Sequence, residues 1–122
     1  MTSSVTNPEL VQAFSAAFGR ADVQALRTMV TDDVVFETTS PPPDGQRFEG
    51  VDAVLDVWSD ILRGTIDPVF AEEEAFVLGD RAVFRWTYSW TNGDGSPGHV
   101  RGVDVLRFRD GKVCEKLSYV KG

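Results

Sequence analysis

Asp104 is the residue whose setting most demands a chemical explanation. It sits in Gly102-Val103-Asp104-Val105-Leu106-Arg107-Phe108, a run that otherwise reads as a half-buried strand, with Asp110-Gly111 following as a two-residue hairpin turn. Counting by twos from Phe108 puts Leu106 and Asp104 on the same face. A carboxylate on an apolar face is costly unless it is paired, hydrogen-bonded or lining a cavity. It is therefore either a satisfied structural aspartate or an acid–base or ligand-orienting group in a pocket. Two cations bear on the choice. The run Arg81 to Thr91 separates Phe84, Trp86, Tyr88 and Trp90 from Val83, Arg85, Thr87 and Ser89, and the last strand separates Cys114, Lys116 and Ser118 from Glu115, Leu117 and Tyr119. If Arg85 and Lys116 share the face of Asp104, one acid and two bases form a cluster. It could bind an anionic or carbonyl-bearing ligand, with Asp104 moving the proton. If instead they face water, they are a row of ion pairs worth little to stability. The alternation leaves both orientations of Arg81–Thr91 open. The plainer one packs the aromatics under the helices. The other makes them an oligomer interface, which such residues favour, and turns Arg85 and Thr87 into a cavity.

Other candidates carry less. Glu72-Glu73-Glu74 alternate faces on a strand and read as a solvated edge. His99 stands beside a glycine-rich turn, Asp32 and Asp33 are turn chemistry, and Cys114, between Lys112 and Lys116, reads as a packing residue. No phosphate loop, nucleophile elbow or dinucleotide fingerprint occurs.

The 122 residues suit one domain, 1–122, with 42% hydrophobic and 25% charged residues. A net charge of −7 argues against nucleic acid and anionic membrane partners. No apolar run approaches the roughly 20 residues of a membrane span, and Met1 to Asn7 lacks a secretory pattern, so a cytoplasmic protein is expected. One cysteine and one histidine exclude an internal disulfide and the usual His/Cys metal site; no metal or cofactor is expected.

The elements that must position these residues follow from periodicity and breakers. Asn7-Pro8-Glu9 starts a helix to about Phe18, and Asp22 caps a second with Val23, Leu26, Met29 and Val30 as its stripe. Thr31-Asp32-Asp33 is expected as a turn, Val34–Thr39 as a strand, and the proline-rich Ser40–Gly45 as a loop. A third helix is predicted over Val51–Arg63, ending at Gly64, then strands over Val69–Leu78, Arg81–Thr91, His99–Arg109 and Lys112–Val120. The predicted fold is α+β: a cone-shaped, curved, largely antiparallel (mixed) sheet with three helices from the N-terminal half on its concave face, and a ligand cavity at its mouth.

Several strings resemble the superfamily named after nuclear transport factor two: Ala16 to Leu26, Thr31 to Phe36, the Gly45 to Gly50 loop before a helix, and Leu106 to Glu115. Within it the chain is most similar to SnoaL-like polyketide cyclases and their ketosteroid-isomerase relatives, over nearly its full length. The resemblance implies that Asp104 matches the strand aspartate used as general acid or base, or as an oxyanion donor. It also implies that Phe14 replaces the isomerases' helix tyrosine and Thr38 their proton-shuttling base, so steroid isomerisation by that mechanism is not expected. An epoxide-hydrolase arrangement would use Arg85 and Asp104 but lacks its second aspartate, at Thr87. The resemblance further implies that Arg85, Thr87, Asp104, Lys116 and Ser118 point into the cone. Phe14, Phe18, Phe36, Trp58 and Leu62 would wall it, with Thr38 at the ligand. A homodimer would form through an outer sheet face of Phe84, Trp86, Tyr88 and Trp90. Three functions remain in different classes: an isomerase, cyclase or lyase acting by acid–base chemistry on a hydrophobic carbonyl compound, a non-catalytic binder of a hydrophobic small molecule, and a protein-interaction module.

Overall fold

A computed structural model describes residues 8–121. The chain runs α1 (Pro8–Gly19), α2 (Val23–Thr28), β1 (Val30–Glu37), β2 (Arg47–Glu49), α3 (Val51–Arg63), β3 (Ile66–Leu78), β4 (Arg81–Thr91), β5 (Pro97–Arg109) and β6 (Lys112–Val120). One mixed, curved and unclosed sheet carries the strands in the order β2-β1-β6-β5-β4-β3. Only the β1–β6 pair is parallel. This is the α+β cone that the sequence predicts. Strand β4 and helix α3 have the predicted ends; Asn7, the expected first cap, lies outside the described residues.

Local chemistry explains the helices. The Asp22 carboxylate accepts from the Ala25 N–H at 3.1 Å and starts α2. In α3, Val54, Leu55, Trp58 and Leu62 are buried and Asp52, Asp56 and Asp60 exposed, so one stripe faces the sheet. Three local expectations are corrected. Val30, expected on the apolar stripe of α2, lies beyond that helix and opens β1. Thr31-Asp32-Asp33 is not a turn but the exposed, irregular part of β1, where pairing with β6 shifts between Val30 and Val35. Val30 and Val34 are both buried, which anchors the strand on either side of that irregularity. The Gly45–Gly50 stretch contains a short edge strand, β2, whose three residues pair with Val35, Phe36 and Glu37.

The core lies between the helices and the inner sheet face. Trp58 is its hub, meeting Phe14, Phe18 and Phe36 edge-on at centroid distances of 5.8, 5.5 and 5.6 Å. Each such contact adds about 0.5–1.5 kcal/mol beyond the area buried.

Two single-residue bulges decide which side chains face that core. In the β3–β4 hairpin, Glu72 pairs with Trp86 and Glu74 with Arg85, leaving Glu73 extra; beyond it Phe70 falls opposite Tyr88. In β5–β6, Phe108 pairs with Val113 and Arg107 with Glu115, leaving Cys114 extra. Continued unbroken from the Asp110-Gly111 turn, the register would set Asp104 opposite Leu117 and turn Lys116 and Ser118 to the other face. The extra residue reverses that parity and sets Asp104 opposite Ser118. Cys114 therefore does not share a face with Lys116 and Ser118 as simple alternation predicts.

Candidate functional site

Three buried polar side chains meet on the inner face of β5 and β6. Asp104 is 1% exposed, Lys116 5% and Ser118 9%. The Lys116 Nζ lies 3.0 Å from Asp104 Oδ2 and donates to Ser118 Oγ at 3.0 Å. Aromatic faces enclose the ammonium, with its nitrogen 4.7 Å from the Phe36 centroid, 5.0 Å from Phe18 and 5.9 Å from Trp58. The parallel register sets Phe36 beside Lys116, while Phe18 and Trp58 come from α1 and α3.

These groups form the floor of a cavity of about 370 Å³. Its walls are mainly apolar: Phe18, Phe36, Phe48, Val57, Phe70, Trp86 and Tyr88. Three buried polar atoms on cavity-lining residues have no hydrogen-bond partner: Asp104 Oδ1, Trp86 Nε1 and Tyr88 Oη. Trp58 Nε1, behind them, also has none. Leaving such groups unpaired typically costs about 1–3 kcal/mol each. One indole donor, one hydroxyl and one carboxylate oxygen on the cavity lining thus stand ready for an oxygen-bearing ligand. Among the described residues, no three of His, Cys, Asp and Glu come together in a way that could hold a metal ion.

The sequence-derived site is brought together only in part. Asp104, Lys116, Ser118, Phe18, Phe36 and Thr38 line the cavity. The Thr38 hydroxyl is already engaged, donating to the Ser40 carbonyl and accepting from the Gln46 N–H, both at 2.8 Å. Phe14, Trp58 and Leu62 do not line it; they are buried behind it.

Arg85 and Thr87 are a correction. Phe84, not Arg85, stands opposite Asp104, so both Arg85 and Thr87 project from the other side of the sheet. There Arg85 pairs with Glu74 at 2.9 Å and Glu73 at 3.2 Å, and Thr87 donates to Glu73. The Thr87 hydroxyl first, with Arg101 and Arg85 behind it, holds the Glu73 carboxyl below its ordinary value. This outer network borders a second depression of about 410 Å³ walled in part by Arg101 and Tyr119.

The expected dimer face falls with the same correction. Phe84 and Trp86 are buried, and Tyr88 and Trp90 lie on the same inner side. Two glycines on β5 make room for the indoles. A Cβ on Gly102 would come within 2.6 Å of the Trp86 ring, and one on Gly98 within 2.5 Å of Trp90. Sequence reading missed Phe70, Trp86 and Tyr88 as cavity walls. The signal for Trp86 and Trp90 was present, since each tryptophan stands opposite a glycine on the neighbouring strand.

Residues 11–116 match the family profile described as the SnoaL-like domain. No curated protein matches the chain. Among solved structures it is similar to an NTF2-like protein of unknown function from Mesorhizobium loti, at 39% identity over 93% of this chain and 89% of that one, with a TM-score of 0.80. A putative polyketide cyclase from Sinorhizobium meliloti is 26% identical over 92% and 94% of the two chains, with a TM-score of 0.73. A putative SnoaL-like polyketide cyclase from Jannaschia sp. is 17% identical over 95% and 90%, with a TM-score of 0.80, a likeness of fold alone. No helix among the described residues is long and apolar enough to cross a membrane.

Proposed function

The chain belongs to the SnoaL-like domain family, and from that premise we propose that it is a small-molecule enzyme. In this reading it isomerises, cyclises or eliminates from a hydrophobic carbonyl compound held in the cone. One observation carries it: a carboxylate with an unpartnered oxygen, Asp104 Oδ1, is buried beside a lysine ammonium at the floor of an aromatic cavity. A substrate carbonyl that accepts from Lys116 or the Trp86 indole becomes more acidic at its α-carbon. Asp104 then removes the α-proton and returns it elsewhere, while the ammonium steadies the enolate oxygen. Arg85 takes no part.

The test is deuterium uptake from D2O into the α-position of 1-indanone or 2-tetralone, followed by NMR. The native chain accelerates exchange, and Asp104→Asn abolishes it while keeping its far-ultraviolet spectrum. A second reading, a non-catalytic binder, is favoured by the way Asp104 and Lys116 already satisfy each other. Saturable ketone binding without exchange above buffer would establish it.

Self-association belongs to the same proposal, through the outer sheet face. Val69, Phe76, Leu78 and Tyr119 are more than half exposed, and each alternates with an inward neighbour. Sedimentation as a monomer at micromolar concentration would dispose of this part alone.

A further inference from the structure

We propose that Lys116 is also a covalent nucleophile, forming an iminium with aldehydes or ketones that enter the cavity and using Asp104 as its proton carrier. The inference rests on the reading of this cavity as a carbonyl site, and adds a chemistry that proton transfer alone does not need. The chain's three lysines are Lys112, Lys116 and Lys121. The first and last are exposed; Lys116 alone is buried, with its nitrogen at the cavity floor.

An amine must be neutral to attack a carbonyl. In water that means losing a proton to solvent, but here the acceptor is built in, with Asp104 Oδ2 at 3.0 Å along the existing contact. Passing one proton along that contact gives the neutral amine that attack requires, and the protonated carboxyl holds the proton for the later steps. The ring faces oppose this at about 0.5–2 kcal/mol each, because they favour the ammonium. Yet the same faces, at 4.7–5.9 Å, equally favour the product, since an iminium is a cation at the same nitrogen. The cage therefore stabilises both ends of the reaction, and Asp104 remains counter-ion to each. Ser118, accepting from Nζ at 3.0 Å, fixes the nitrogen's orientation.

The atoms balance without any co-reactant. The nitrogen lone pair forms the C–N bond as the carbonyl π bond breaks. The carbonyl oxygen leaves as water carrying two of the three ammonium protons, both passed through the Asp104 carboxyl, and the third stays on the iminium nitrogen. Asp104 Oδ1, without a partner in the fold, provides a second oxygen for the relay.

The experiment is reductive trapping of the native chain with benzaldehyde and cyanoborohydride near neutral pH, with the modified residue located by peptide mass spectrometry. Lys116 is expected to carry the benzyl adduct about tenfold faster than either exposed lysine, and Asp104→Asn to slow it by a similar factor. Labelling of Lys112 and Lys121 with Lys116 the slowest overturns the proposal, and needs no variant to fold. Trapping undiminished in Asp104→Asn overturns the role given to that carboxylate. Lys116→Arg, which keeps the cation but not the nucleophile, separates this proposal from the acid–base reading. Ketone deuterium exchange that persists in Lys116→Arg, with no adduct in the native chain, defeats the covalent step and spares Asp104 as a base. An adduct on Lys116 without any exchange does the reverse.

Discussion

Lys116→Met probes the buried pair most directly. Methionine keeps much of the aliphatic stem between Phe18, Phe36 and Trp58, so the change removes charge more than volume. The side chains of Lys116 and Asp104 are only 6% and 2% exposed, and their charged atoms stand 3.0 Å apart. Coulomb's law at that distance, with an effective dielectric of about 20, gives an attraction of about 5–6 kcal/mol. Loss of the ammonium leaves both Asp104 oxygens buried without a partner, and broken buried pairs typically cost about 3–5 kcal/mol. Urea unfolding followed by tryptophan fluorescence should show a loss of that size at pH 7. Adding Asp104→Leu should restore most of the loss, because the remaining partner is then apolar as well. A loss below about 1 kcal/mol for Lys116→Met would mean that the pair behaves as an exposed one, and would refute the buried setting on which the site rests. A double variant as unstable as the sum of its single variants would refute the coupling itself.

Further outcomes follow from the same geometry. Arg85→Leu should leave ketone binding and exchange unchanged, as measured by titration and NMR, because its partners are Glu73 and Glu74 on the outer face. Gly102→Ala should destabilise by about 1–3 kcal/mol in urea and weaken binding, since its Cβ would meet the Tyr119 carbonyl at 2.4 Å as well as the Trp86 ring. Burial pushes the Cys114 thiol up, against the pull of Arg109 and Arg107, so a disulfide reagent at pH 8 should label it more slowly than it labels free cysteine. The Arg109 hydrogen bond, then that of Thr31, holds the Asp33 carboxyl below its ordinary value. Its contribution to stability is therefore complete above the unfolded value of about 3.9 and is lost as pH falls through the lower folded value. A carbon-detected titration of Asp33 with a midpoint at or above 3.9 would contradict that pairing.

Most of the fold is legible because its periods are clean. The apolar stripe of α3 and the alternation of β4 name both their type and their limits. The β2 strand is not legible, because three residues at an edge hold their conformation by pairing with β1 rather than by their own pattern. The start of β1 is hidden for a related reason: Thr31-Asp32-Asp33 has the composition of a turn but continues a strand fixed at Val30 and Val34.

The site was harder, and Arg85 shows where inference can go astray. Directly opposed residues share a face. A hairpin whose loop has an odd number of residues pairs even positions with even ones. The loop between Thr91 and Pro97 has five residues, Asn92 to Ser96, and the loop expected from sequence, Asn92 to Gly98, has seven. Either one puts Asp104 with the aromatic face and Arg85 opposite to it. Parity alone therefore decides for the plainer orientation, and the facing carried over from the family resemblance conflicts with it.

The same count fails for Lys116. A two-residue turn at Asp110-Gly111 pairs odd with even and sends Lys116 away from Asp104, until the unpaired Cys114 restores the match. No propensity in Val113-Cys114-Glu115 announces a bulge; it follows from the whole of β6 having to bury Val113 on one side of it and Lys116 on the other. Burying a lysine is a poor way to stabilise a sheet, since a well-packed apolar pair at positions 104 and 116 would serve as well or better. Under the proposed function, the register shift that carries Lys116 into an aromatic cage beside Asp104 serves a ligand rather than the fold.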